Sequence, residues 1–218
     1  MHTAILPLAC YLLGAIPFSY LTVKWLTGED LRRHFSGNAG ATNAGRVMAQ
    51  FGPPWVREKA SVLAKLVLLL DIAKGAGAVA LGQHVGLENG QESLGVVAAV
   101  AALLGHAFSP FLKFKGGKGV ATSIGAIACL SPLTAAATFG VWLVVWGLTR
   151  YISLGSVVAA LAVPFLYMGL AHQGYESSRN NYVLGFFVVV AAFVTWKHKS
   201  NIGRLLSGTE PKSGKASS

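Results

Sequence analysis

Acidic residues are scarce in this 218-residue chain, with eight Asp and Glu against eighteen Lys and Arg. Charged residues of both signs make up 12%, about half of the roughly 25% typical of soluble domains. With 53% hydrophobic residues, that shortage excludes intrinsic disorder. It also excludes a soluble nucleic-acid-binding module, whose basic residues need a polar surface to sit on. Cysteine is equally sparse. Cys10 and Cys129 lie in apolar runs away from any histidine cluster, so they suggest buried small hydrophobes rather than a disulfide framework or a metal site. Neither has the polar setting that lowers a thiol pKa. No G-x-S-x-G nucleophile elbow occurs, and no carboxylate cluster offers a metal site. A hydrolase or metalloenzyme is disfavoured, and no cofactor is implied.

What the chain has is long apolar segments and a net charge of +10. A membrane-crossing helix needs about 20 mostly apolar residues. Seven segments meet or approach that: 3–24, 60–83, 93–112, a shorter 119–131, 132–149, 152–171 and 181–197. The expected fold is an all-α integral membrane protein of about seven transmembrane helices. The count becomes five if Ser131-Pro132 turns the fourth and fifth segments into a re-entrant pair. Residues 1–206 are expected to form one polytopic membrane domain, and 207–218 a disordered polar tail. The first residues lack the positive n-region of a cleavable signal, so the first span is expected to persist.

The cations give the direction. With the N-terminus outside, sixteen of the eighteen Lys and Arg fall on the cytoplasmic side. Arg179 falls outside, Lys74 lies within a span, and the loop 84–92 has no Lys or Arg. The positive-inside rule therefore puts the N-terminus outside and the C-terminus in the cytoplasm.

Four polar stretches all fall on that cytoplasmic side. In 35–46, Gly37 and Gly40 let backbone N–H groups turn towards an anion, Ser36, Thr42 and Asn43 add donors, and Arg46 adds charge. That composition suits a phosphate nest, although a flexible inter-helix loop has the same composition. It is not a Walker A loop, since no G-K-[ST] follows the glycines. In 105–123, Lys113 and Lys115 need be no more than positive-inside anchors. Lys118 is set among Gly116, Gly117 and Gly119, where the backbone approaches whatever the ammonium holds, and the next helix aims its positive dipole end at the same point. His106, at the end of an apolar span, is of a kind more often structural than acid or base. In 150–156, Ser153 is a possible N-cap, and Ser156 faces inward three residues on. In 196–210, a helical continuation places His198 and Asn201 on one face, and an amphipathic basic helix on anionic lipid is the alternative. Within the second span, Asp71 and Lys74 are three apart, and pairing offsets the cost of charge in the membrane.

In this order, the stretches resemble the bacterial acyl-phosphate:glycerol-3-phosphate acyltransferase (PlsY) family. The matching text is Gly14-Ala-Ile-Pro-Phe-Ser-Tyr-Leu21, Ser36-Gly-Asn-Ala-Gly-Ala-Thr-Asn43 with Arg46, and Leu66-Val-Leu-Leu-Leu-Asp-Ile-Ala-Lys-Gly75. Gly105-His106, Phe114-Lys-Gly-Gly-Lys-Gly-Val-Ala-Thr122, Tyr151-Ile-Ser-Leu-Gly-Ser156 and His198…Asn201…Arg204-Leu-Leu-Ser-Gly-Thr-Glu210 complete it. Two departures lie beside the motifs: a long segment 47–62 containing Pro53-Pro54-Trp55, and Lys-Ser at 199–200 where Arg-Glu is common. The H-x-x-x-x-D motif of other glycerolipid acyltransferases is absent.

The resemblance implies a seven-helix bacterial inner-membrane enzyme with its site facing the cytoplasm. It implies transfer of a fatty acyl group from acyl phosphate to glycerol 3-phosphate, giving lysophosphatidate, the first step of phospholipid synthesis. It carries over Ser36, Lys118 and His198 as catalytic. Arg46, Thr42, Asn43, Gly37, Gly40, Gly117, Ser156, Asn201 and His106 are carried over as substrate-binding. Membrane lipid is the expected surroundings, the chain is expected to act as a monomer, and neither nucleic acid nor metal is involved. A membrane transporter for organic phosphates is the rival class, since it also gathers glycines and cations around an anion. The one-sided placement of the motifs and the lack of an internal repeat argue against it.

Overall fold

The computed structural model describes residues 2–175 and 180–213. Arg179, Lys215 and the last part of the expected disordered tail, 214–218, lie outside the described residues. All regular structure among those described is helical: α1 (His2–Ala15), α2 (Phe18–Thr27), α3 (Ala41–Phe51), α4 (Pro54–Asn89), α5 (Leu94–Ala107), α6 (Val120–Leu130), α7 (Pro132–Thr149), α8 (Ile152–His172), α9 (Asn181–Lys197) and α10 (Lys199–Leu206). The chain gathers into two compact units, 1–126 and 127–218.

Among the described residues, four segments are long and apolar enough to cross a membrane: Thr3–Thr27, Leu94–Leu112, Pro132–Thr149 and Ile152–His172. The pair α9 and α10, bent by 59°, raises the number to five if it counts as one span. Of the seven segments expected, 60–83 and 119–131 are outside this set. The first lies within α4 and carries Asp71 and Lys74; the second is the 11-residue helix α6.

The first segment is not one helix. Pro17 has no N–H to donate and its ring disfavours a continuing α-helix, so the chain breaks at Ile16-Pro17 and resumes at Phe18. Two carbonyls beside the break are satisfied from a distance: Ser109 Oγ donates to Ala15 O at 2.6 Å, and Lys74 Nζ to Ile16 O at 2.9 Å. Nor is 47–62 a long loop. Helix α3 runs to Phe51, Gly52 and Pro53 turn the chain, and Pro54 opens α4 at a position where its missing N–H costs nothing. Helix α4 then runs on to Asn89 through most of the expected loop 84–92, and Gly90 ends it at φ 66°.

In the first unit, glycines bring helices together. A Cβ on Gly14 would strike the Ala102 backbone, and one on Gly105 the Tyr11 carbonyl, so α1 and α5 cross in close contact. Gly75 and Gly125 do the same for α4 and α6, against Thr122 and Ile72. Small residues at crossings are a main source of packing where lipid removes the hydrophobic drive. One apolar cluster joins Leu6, Cys10, Ala78, Leu94 and Ala98, and another packs Val47 and Met48 of α3 against Val56 and Ala60 of α4. Cys10 is buried as expected, but Cys129 is only half-buried.

In the second unit, α8 packs on α9 through Tyr167 and Phe187, whose rings meet edge to face at 5.1 Å. The Tyr167 hydroxyl accepts from Asn180 N, and Asn180 Oδ1 caps α9 by accepting from Tyr182 N at 2.9 Å.

Gly125→Val should force α6 from α4 and lower stability in detergent by about 1–3 kcal/mol, the usual cost of overpacking. Gly140→Val should leave the melting temperature close to that of the wild type, since nothing lies within 4 Å of the added Cβ. A thermal-unfolding comparison of the two purified variants checks this.

Candidate active site

The first polar loop is built from the end of α2. Gly28 stops that helix at φ 74°, and Asp30 then caps the 3-10 turn Leu31–Arg33. Asp30 Oδ1 accepts from Arg32 N at 3.0 Å and from Arg32 Nε at 2.9 Å. These hydrogen bonds with Arg32 hold the Asp30 carboxyl at a pKa of about 2. Gly37, at φ 64°, donates its N–H to His34 O at 2.9 Å and sends the chain towards α3. Ser36 and Thr42 are exposed and Arg46 is half-buried. Thr42 and Arg46 are four apart in α3 and share a face. Gly40 is the N-cap, and no side chain caps the helix. The α3 N-terminus, with exposed Ser36 in the loop before it and Thr42 in its first turn, thus lacks a side-chain cap and carries the positive end of the helix dipole.

Asn43 does something else. It is 2% exposed, and its amide nitrogen donates to Leu31 O at 2.9 Å and His34 O at 3.3 Å. It holds the loop onto α3, and those bonds take its donors away from a substrate.

The second polar loop leaves α5. Tyr11 OH donates to Phe108 O at 2.7 Å, and Phe114 N–H to Ser109 O at 2.8 Å. Lys113 and Phe114 take positive φ angles of 54° and 59°, and both are exposed, as are Phe111 and Lys115. The chain then folds back: Gly116 N–H donates to Ala107 O and Gly117 N–H to His106 O, at 3.2 and 3.1 Å. Gly117 has no room for a side chain, because a Cβ would strike His106 Nε2 and lie 2.8 Å from Ala39 O. The two glycine loops therefore touch, Ala39 of one against Gly117 of the other. Lys118 follows, half-buried, and α6 starts at Val120 as the sequence predicts.

His106 is buried with its Nδ1 3.7 Å from Asp71 Oδ1. Asp71 pairs with Lys74 at 2.8 Å, the pairing expected from their spacing. That His106 completes the cluster was not legible, because only the fold brings α5 beside α4.

The second unit holds Ser156, His198 and Asn201, all buried. Ser156 Oγ donates to Ile152 O at 2.9 Å within its own helix. His198 does not lie in a continuing helix but at the bend between α9 and α10. Its Nδ1 is 2.8 Å from Val194 O, a carbonyl that can only accept, so Nδ1 carries the hydrogen and Nε2 the lone pair of the neutral ring. A side chain on the i−4 carbonyl is a recognised cause of such a bend.

Glu210 gathers the rest. Its Oε1 accepts from Ser153 Oγ at 2.6 Å and Asn201 Nδ2 at 2.7 Å, and its Oε2 from Arg204 Nε at 2.7 Å. Burial raises the pKa of the Glu210 carboxyl, but these three donors outweigh burial and leave it below the ordinary glutamate value. Ser153 is thus no N-cap; Tyr151 holds that position. Residues 207–213 are tied down as well, with Ser213 N–H donating to Arg150 O at 2.8 Å. In the sequence, Glu210 closes the last matching motif without a role of its own. A lone glutamate in a basic, glycine-bearing tail was the available signal.

A profile of the family described as glycerol-3-phosphate acyltransferase matches residues 4–208. The chain belongs to that family. The glycerol-3-phosphate acyltransferase of Desulforamulus reducens is 42% identical over 213 residues, covering 97% of this chain and 96% of that one. That of Thermosynechococcus vestitus is 41% identical, covering 96% and 94%. The solved structure of PlsY, an integral membrane glycerol 3-phosphate acyltransferase, in its glycerol 3-phosphate form aligns with a TM-score of 0.80 at 33% identity, over 98% of this chain and 96% of that one. The lysophosphatidic acid form of PlsY aligns at 0.74 and 31% identity, over the same shares. With its apolar helices, the chain is accordingly a multi-pass membrane protein of this acyltransferase family.

Glu210→Gln should destabilise the protein by about 2 kcal/mol, in the range for hydrogen bonds to a charged group. The lowered pKa means the carboxylate stabilises the fold above the ordinary glutamate range and loses that contribution as pH falls through the lowered value. Melting temperature followed against pH should show a flatter acid limb in the variant.

Proposed function

We propose that this protein transfers a fatty acyl group from acyl phosphate to glycerol 3-phosphate, releasing lysophosphatidate and inorganic phosphate. The observation that carries this reading is the uncapped N-terminus of α3, with Thr42 exposed in its first turn, Ser36 exposed in the loop before it and Arg46 half-buried one turn further on. Both substrates carry phosphate, and this cradle together with Lys118 suits that anion. The membership of the chain in the family supplies the acceptor.

Arg46 and Lys118 hold phosphate through charge-assisted hydrogen bonds. Ser36, Thr42 and the backbone N–H groups near Gly37 and Gly40 orient substrate oxygens, and Gly117 lets the loop approach closely. The acyl chain lies in an apolar groove open to the bilayer. A glycerol hydroxyl oxygen attacks the carbonyl carbon of the mixed anhydride. The new C–O bond forms as the carbonyl–phosphate C–O bond breaks, and phosphate leaves with the electron pair. The hydroxyl proton passes to His198 Nε2 or to the departing phosphate. Positioning and charge stabilisation do most of the work, so no acyl-enzyme and no cofactor is needed. Ser156 and Asn201 line the second polar set with His198. Seven spans, an outside N-terminus and an inner-membrane site facing the cytoplasm complete the reading, on the distribution of cations between loops. The protein works as a monomer.

Purified protein in detergent should form lysophosphatidate from acyl phosphate and glycerol 3-phosphate, with no sealed vesicle as transport would need. Lys118→Ala should abolish that turnover while the protein remains in the membrane fraction. Wild-type turnover by the variant would sink the assignment of Lys118. Labelled acyl group retained on the protein from acyl phosphate alone would overturn direct transfer.

A further inference from the structure

Asp71 and Lys74 lie in the middle of α4 and are 2% and 4% exposed. Neither lies in one of the two glycine loops. An ammonium has three N–H donors, and Lys74 has three partners around it. Asp71 Oδ1 lies at 2.8 Å, the Ile16 carbonyl at 2.9 Å, and the Phe18 ring centroid at 5.5 Å. Lys74 is thus already engaged by a carboxylate, a carbonyl and an aromatic ring inside the fold. It ties α4 to the Ile16-Pro17 break.

The other side of the cluster reaches the glycine loop. Asp71 Oδ1 faces His106 Nδ1 at 3.7 Å, within charge-pairing range. The opposite ring nitrogen, His106 Nε2, is the atom on which a Cβ at Gly117 would collide. The His106 backbone also accepts the Gly117 N–H at 3.1 Å. Ile16, Asp71, Lys74, His106, Ala39 and Gly117 line one small pocket, so the cluster lies under the point where the two loops touch.

We propose that the Asp71–Lys74–His106 cluster positions the Gly116–Gly119 loop, and through it Lys118, for the glycerol 3-phosphate phosphate. Asp71 and Lys74 are positioning residues. Lys74 fixes the broken helix at Ile16, Asp71 orients the His106 ring, and the ring sets the depth of Gly117. His106 then acts through Gly117 rather than on substrate. Burying two charges is expensive, and a well-packed apolar pair often serves stability as well or better. A cluster with only a structural purpose is therefore replaceable by apolar residues without functional loss, whereas a positioning cluster is not.

The inference rests on the acyl transfer proposed above, so wild-type protein is assayed in parallel. Failure of the wild type to make lysophosphatidate is failure of that function and not of the cluster. The variant Asp71→Leu/Lys74→Met replaces the pair by apolar side chains, and Asp71→Asn alone removes the negative charge at nearly constant shape. Each is purified in detergent, melted, and assayed with glycerol 3-phosphate and acyl phosphate varied separately. Expected is a melting temperature near wild type for at least one variant. With it, KM for glycerol 3-phosphate rises by about tenfold or more, the scale seen when outer-shell support of a site is lost. KM for acyl phosphate should stay within about twofold of the wild type, because the shift is confined to one loop. A folded variant with unchanged glycerol 3-phosphate KM overturns the proposal, as does an equal rise for both substrates. If neither variant accumulates folded, the cluster supports the fold alone and the proposal falls.

Discussion

Hydrocarbon supplies no hydrogen bonds, so every backbone polar group freed within the membrane must find its partner inside the protein. That constraint explains why the breaks in this chain are surrounded by side chains reaching over long sequence distances. Pro17 frees carbonyls that Ser109 and Lys74 take up, from 94 and 58 residues away. The end of α5 exposes Phe108 O, and Tyr11 answers from 97 residues away. The bend after α9 is served by His198 on Val194. Each irregular point is thereby fixed in position, and each adjoins a polar stretch. A break that must be satisfied from elsewhere gives a surface enzyme fixed points within a fluid medium.

The positive charge divides in the same terms. Lys113 and Lys115 are exposed beside aromatic residues at the loop surface. Arg46 and Lys118 are half-buried among glycines. Lys74 is enclosed and paired. A single count of +10 therefore covers three environments with three different desolvation costs.

Much of this was legible from residue order. Helices α7 and α9 begin and end where apolar periodicity and flanking polar residues place them, and α6 starts at the glycine-lysine boundary. Three features were not, for reasons of physics rather than pattern. Hydropathy averages over the Pro17 break, because the flanking residues are apolar on both sides. The 47–62 segment stood out only for its length and its two prolines, whereas Pro54 occupies a helix start. Asn43 and Asn201 have the composition of ligand residues, yet Asn43 donates to carbonyls and Asn201 to Glu210. Which acceptor an amide meets depends on the fold, and no spacing rule supplies it.

Helix α4 has a further consequence. At 1.5 Å per residue, its 36 residues extend about 54 Å, well beyond a hydrocarbon core of about 30 Å. The 18 residues of α7 give only about 27 Å. Part of α4 therefore lies beyond any hydrocarbon that it enters, which is length in reserve. Helix α7 has no such reserve. Among the four unbent membrane-crossing candidates of the described residues, α7 is the shortest and has the least length to absorb a mismatch with its lipid.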